Sequence, residues 1–255
     1  MQSRKKKSLL RGTLVALVWL LLWTVAAFLM DKPLLLPGPM DTLDALQALI
    51  VKGAFWKSVM LSIVRVMAGY LCAVAAGAVL AVICHFVSIA DALLSPLRTV
   101  IRTTPVTSFI ILVLLWLSDD MTPAFISFLM VMPIIWTNVQ EGLAETDKML
   151  LEMARCYQFG FVKTLRYVFV PSVMPHFAAA CLNGLGFAWK SGIAAEVIAK
   201  PLFSIGRNLQ DAKVYLETPS LFAWTLVVIL LSLLLEKVLG AALKRLKHKE
   251  GGKRA

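Results

Sequence analysis

Charge is scarce in this chain. Asp, Glu, Lys and Arg make up 16% of its 255 residues, against about 25% in an average soluble domain. Acidic residues are scarcer still, 15 against 26 basic ones, which leaves a formal net charge of +11. Cysteine is limited to Cys72, Cys84, Cys156 and Cys181. No pair is spaced C-x-x-C, so a disulfide framework, a zinc knuckle and a thioredoxin-like centre are excluded. All four read as reduced packing residues. The three histidines, His85, His176 and His248, are far apart in the chain and suggest neither a metal site nor a catalytic triad. No internal repeat is apparent, so inverted-repeat carrier folds gain no support. What fills the chain instead is apolar: 59% hydrophobic residues and a mean hydropathy of +0.79. A soluble globule, a disordered tail and a small secreted domain are all excluded by that composition.

The apolar residues fall into six stretches. The first, 12–30, follows a basic start containing Arg4, Lys5, Lys6, Lys7 and Arg11. It is longer than the 7–15-residue core of a signal peptide and reads as a retained span. The others are 58–87, 106–117 with some preceding residues, 121–139, 172–198 and 220–239. The expected fold class is therefore an all-α membrane protein with six transmembrane helices. With both termini on the cytoplasmic side, 18 Lys and Arg lie inside, 6 outside, and Arg65 and Lys190 within spans. That asymmetry follows the positive-inside rule and explains the positive charge without nucleic acid. The outer segment 31–57 carries Pro33, Pro37 and Pro39 and then a short amphipathic helix, 40–51. Asp119-Asp120 mark an outer turn.

Residues 141–170 form the least membrane-like internal stretch. Met149, Leu150, Met153, Ala154 and Tyr157 recur at helical spacing, which predicts a helix over 145–157 capped by Thr146. Gly160 breaks it, and a second short helix, 161–167, runs to Pro171. Two short amphipathic helices in one loop suit insertion into a partner's groove, or packing on their own bundle.

Glu152-Met153-Ala154, followed by Val168-Phe169-Val170-Pro171, resembles the EAA motif of bacterial ABC importer permeases. The resemblance covers roughly residues 58–240 and includes Arg65 with Gly69, Arg102-Thr103-Thr104-Pro105, Pro171 with Pro175, and Ala195-Glu196. Its flavour is that of the nitrate/sulfonate/taurine-type branch, which also handles thiamine precursors. Two positions depart from the motif. Met153 replaces its second alanine, and Gln158 stands where it has glycine, the nearest glycine being Gly160. A shifted turn between the two short helices is the expectation. The resemblance implies a type I importer permease organised as a basic cytoplasmic N-terminus (1–11), a first helix with outer amphipathic segment (12–57), a permease core (58–240) and a basic cytoplasmic tail (241–255). It implies that Glu152, Met153, Ala154, Gln158, Gly160 and Pro171 couple the chain to a separate ATPase, present in two copies and holding ATP and Mg. It further implies a second permease copy, homodimeric or heterodimeric, an extracytoplasmic solute-binding protein, and residence in the bacterial cytoplasmic (inner) membrane with no cofactor on this chain. An ion-gradient-driven secondary transporter is the alternative.

Three further features stand beside the motif. Gly184 to Ser191 comes one residue short of a phosphate-binding loop, but Trp189 occupies the second glycine position and no strand precedes it. Gly69, Ala73, Gly77 and Ala81, spaced by four, form a stripe for close helix approach, within the subunit or across a dimer. Arg65, Lys190 and Glu196 are ionisable groups in apolar surroundings, where charge faces a cavity or a partner. Lys190 and Glu196 stand about 240° apart around one helix and do not share a face. With Asn183 and Trp189 they are the candidates for a translocation pathway, and Lys190 suits an anionic solute.

Overall fold

The computed structural model describes the backbone of residues 2–32 and 34–251 and the side chains of 13–32 and 34–243. The basic side chains at 4–11 and 244–254, together with Pro33 and His248, lie outside the described residues. Among the described residues every regular element is helical. In order, the elements are α1 (Gln2–Met30), α2 (Pro39–Ile50), α3 (Gly53–Phe86), α4 (Ser88–Thr103), α5 (Val106–Val113), α6 (Thr122–Ala144), α7 (Lys148–Cys156), α8 (Phe161–Thr164), a π-helical turn (Leu165–Phe169), α9 (Val170–Ala199), α10 (Ile205–Val214) and α11 (Thr218–Gly251). Five stretches are long and apolar enough to cross a membrane: Thr13–Met30, Gly53–Phe86, Thr122–Ala144, Phe161–Ala199 and Thr218–Leu243.

The helix directions follow from the contacts. A Cβ placed on Gly69 would run into the Ala124 carbonyl, and one on Gly77 would stand 2.7 Å from the Met132 carbonyl oxygen. Both pairs have the same offset in sequence, so α3 and α6 run parallel. On α9 the order reverses. Tyr70 Oη donates to the Cys181 carbonyl at 3.0 Å while Ser62 Oγ donates to Glu196 Oε2 at 2.7 Å, so α9 is antiparallel to α3. Trp189 Nε1 donates to the Val228 carbonyl at 3.0 Å and Leu182 neighbours Gly240, which makes α11 antiparallel to α9. The core lies along the α3–α6–α9 seam, where Val66, Tyr70, Ala73, Ile135, Trp136 and Trp189 are buried. The small-residue stripe of α3 thus serves packing inside the subunit. It brings backbones close enough for the α6 carbonyls to touch the α3 surface.

Parallel α3 and α6 require the chain to return between them. The expected third span does this work as a broken pair. Pro105 lacks an N–H and biases Thr104 away from helix; α4 ends at Thr103, and α5 starts at Val106 and lasts eight residues. The second helix of the 141–170 loop is also different from expectation. Phe161 to Ala199 is one continuous helical path through the π turn. The turn ends just before Pro171, whose missing N–H leaves the Tyr167 carbonyl without its ordinary partner. Of the cysteines, Cys84 and Cys181 are buried, whereas Cys72 and Cys156 are exposed and do not pack in the core.

Candidate docking loop and translocation groove

The loop 145–169 sits at the end of the bundle where α3 stops, with Phe86 edge-on to Phe161 and Phe169 at centroid distances of 5.6 and 5.5 Å. α7 is shorter than expected and its cap is a different residue. Asp147 is the N-cap, its carboxylate accepting from Met149 N at 2.8 Å. Thr146 is buried and donates instead to the Gly142 carbonyl at 3.3 Å. At the other end, Phe159 N donates to the Ala154 carbonyl at 2.8 Å and Gln158 N to the Arg155 carbonyl at 2.9 Å. That pair of bonds is a Schellman closure, which needs a left-handed residue after the cap. Gln158 supplies it with φ 52°. The turn therefore stays at the motif position and does not shift to Gly160, whose φ of −66° any residue adopts.

Ala154 is buried while Glu152, Met153 and Gln158 are exposed. The outward face carries an apolar stripe beside the exposed Lys148, Glu152 and Arg155. Met149 is 75% exposed and Tyr157 72%, on the segment between two spans, and Phe161 at 64% and Val162 at 73% open the helical path that follows. α7 packs against the π turn that leads into α9, so the loop is mechanically joined to a core helix. Pro171 is half-buried in the first turn of α9.

α9 also forms one wall of a cavity of about 1420 Å³, shared with α4, α5, α6 and α11. Asn183, Lys190 and Ser191 line it, and so do Arg102 from α4 and Glu236 and Lys237 from α11. A Cβ on Gly186 would stand 3.3 Å from Glu236 Oε1, so that glycine lets α11 close on α9. Arg102, Glu236 and Lys237 are not legible as groove residues: in sequence Arg102 reads as a loop charge and Lys237 as a tail charge, and Glu236 is not singled out. Their signal is position alone, each bordering a long apolar run.

Trp189, Arg65 and Glu196 are placed elsewhere. Trp189 is buried against α11 and held by its bond to Val228. Arg65 and Glu196 belong to a cluster at the opposite end of the bundle from the 145–169 loop. Glu196 is fully buried and accepts from Ser62 Oγ and from Gly206 N at 3.1 Å, in the first turn of α10. A carboxylate there is favoured by the helix dipole. Arg65 donates to the carbonyls of Leu202 and Phe203 at 3.1 and 3.2 Å and pairs with Asp120. The pair ties α3 to the α5–α6 turn and to the α9–α10 connection, where Lys200 and Phe203 take positive φ.

Comparison with known proteins agrees with this architecture. A probable ABC transporter permease protein of Brucella melitensis biotype 1 is 28% identical over 212 residues, covering 83% of this chain and 86% of the relative. The taurine transport system permease protein of Escherichia coli K12 is 25% identical over 243 residues, covering 92% and 87%. A putative aliphatic sulfonates transport permease protein of Bacillus subtilis 168 is 24% identical over 227 residues, covering 88% and 82%. Among solved structures, a chain of an amino acid ABC transporter superposes with a TM-score of 0.61 at 14% identity, covering 77% of this chain and 94% of that one, which speaks to fold. Residues 73–248 match the family of binding-protein-dependent transport system inner membrane components, and the chain, with its parallel α3–α6 pair and helix-lined groove, belongs to that family of ABC transporter permeases.

Proposed function

We propose that this chain is the transmembrane permease subunit of an ATP-driven, binding-protein-dependent importer for a small solute of the sulfonate, nitrate, taurine or thiamine-precursor kind, with an anion favoured. The observation that carries the reading is the apolar outer face of α7 and α8. Exposed apolar side chains clustered on α7 and at the very start of the helical path that follows mark a protein interface. A gradient-driven carrier has no use for such a face. The partner is an ATPase subunit, two per complex, which binds ATP and Mg. This chain holds neither and catalyses no covalent step. A second permease copy completes the pathway and a solute-binding protein docks at the outer end. The chain lies in the cytoplasmic membrane with both termini inside, and 1–11, 12–57, 58–240 and 241–255 are its working segments.

In this reading ATP-driven closure of the two ATPases moves the two loops together. Glu152 anchors α7 to the ATPase, Met153 fills an apolar contact, and Ala154 lets α7 lie close to its own bundle. The Gln158 turn and Gly160 set the angle between α7 and α8. Force passes from α7 to the π turn, past Pro171, and into α9, which lines the groove. Asn183 and Lys190 face the solute there. Trp189 holds α9 against α11, while Arg65 and Glu196 hold the outer end together. Glu152→Lys tests the scheme: the variant inserts into the membrane normally but loses ATPase association and uptake. Retention of both overturns the reading.

A further inference from the structure

Four charged side chains line the groove, Arg102, Lys190, Glu236 and Lys237. Among the described residues, ion pairs join Arg65, His176 and Arg207 to carboxylates, and none involves these four. They come from three helices. Lys190 lies nine residues from the end of α9 at Ala199, about 14 Å along the axis, roughly half of a ~30 Å hydrocarbon core. That is too deep for its side chain to reach the headgroups by snorkelling. Glu236 neighbours Gly186 and Leu182 neighbours Gly240. The antiparallel register therefore sets Lys237 level with Leu185, roughly 7–8 Å from Lys190 along α9. Arg102 enters from the side of α6, one turn beyond Arg98, which donates to Gln140 at 2.6 Å and lies over the Trp136 ring.

Unpaired charge at membrane depth is expensive unless something in the cavity answers it. Three cations and one carboxylate leave two positive charges in excess. Low-dielectric walls focus that field into the groove. We propose that Arg102, Lys190 and Lys237 select the solute by negative charge, and that the solute carries an oxyanion head such as a carboxylate or sulfonate. The inference rests on reading the groove as the solute path. Glu236 limits the excess, so an anion is drawn in and still released. Passage requires that balance, as it does in channels.

The test works whatever the solute is. The native cysteines are replaced, Asn183→Cys is introduced, and the complex is kept in membrane vesicles. Labelling rates are measured for two methanethiosulfonate reagents, the anionic 2-sulfonatoethyl and the cationic 2-trimethylammonioethyl compound, each relative to a free thiol in the same buffer. The expected anion-to-cation ratio is about tenfold above the free-thiol value, and Arg102→Gln with Lys237→Gln collapses it. Thr104→Cys, on another wall of the groove, gives the same result if Asn183→Cys fails to reach the membrane. A ratio equal to that of the free thiol, or one unmoved by the double substitution, overturns charge selection. Co-purification of an ATPase in the same preparation separates this outcome from failure of the importer reading.

Discussion

Arg65 Nη1 lies 3.7 Å from Glu196 Oε1, and the two side chains together fasten the 202–206 segment to α3. Glu196 is fully buried and the Arg65 side chain is 13% exposed, so neither charge has ready access to solvent. Removing Arg65 leaves the buried Glu196 carboxylate without a cationic partner, whereas Arg65 also pairs with Asp120. Arg65→Met is expected to cost about 3 kcal/mol or more. Pairing it with Glu196→Gln recovers a substantial part, because an amide oxygen still accepts from Ser62 and Gly206. Thermal unfolding in detergent of both singles and the double checks this, and additive losses would refute the coupling.

Gln158 holds a left-handed backbone without the freedom of glycine. Gln158→Gly is expected to stabilise α7's closure by up to about 1 kcal/mol, and Gln158→Val to weaken it by more. Protease resistance of the loop in the purified chain measures the order. A Val variant as resistant as the Gly variant would contradict the assigned turn.

The cap makes an independent prediction. Asp147→Ala removes the acceptor for Met149 N and costs about 1 kcal/mol of helix stability. Hydrogen exchange at the first turn of α7 rises in that variant. Thr146→Ala leaves this exchange unchanged, since Thr146 bonds back to Gly142.

Glycines divide by what surrounds them. Gly69→Ala drives a methyl into the Ala124 carbonyl, and Gly77→Ala crowds Met132 and Ile135, whereas Gly53 and Gly160 have no atom within 4 Å. The first two substitutions are expected to destabilise by roughly 1–3 kcal/mol. Ala at the last two is close to neutral. Yield of monodisperse protein ranks them, and equal yields would deny the α3–α6 seam.

Most of the bundle is legible because long apolar runs have one structural use in a bilayer. The spans at 12–30, 58–87, 121–139, 172–198 and 220–239 each fall within an observed helix apart from Met121 and Val87 at their edges. The third span is not the longer helix its apolar run suggests, because Pro105 splits it and nothing in the local pattern marks the short α5. The site is only partly legible. Lys190 and Asn183 stand out by composition and do line the groove, but which face of α9 each residue takes depends on α11 and α6. So Trp189, next to Lys190 in sequence, turns into the core. Arg102 and Lys237 come together with Lys190 through helix crossings that no local spacing encodes. The Gln158 turn shows the reverse case: the motif position predicts the left-handed residue better than the nearest glycine does.

Docking of an ATPase on the face of α7 and α8 underlies the proposed transport cycle. The most direct measurement is recovery of the tagged chain in mild detergent, with its companions identified and quantified by mass spectrometry. An ATPase subunit at about one per permease chain is the expected companion, lost in Glu152→Lys. Recovery of the chain alone from several gentle detergents would contradict it.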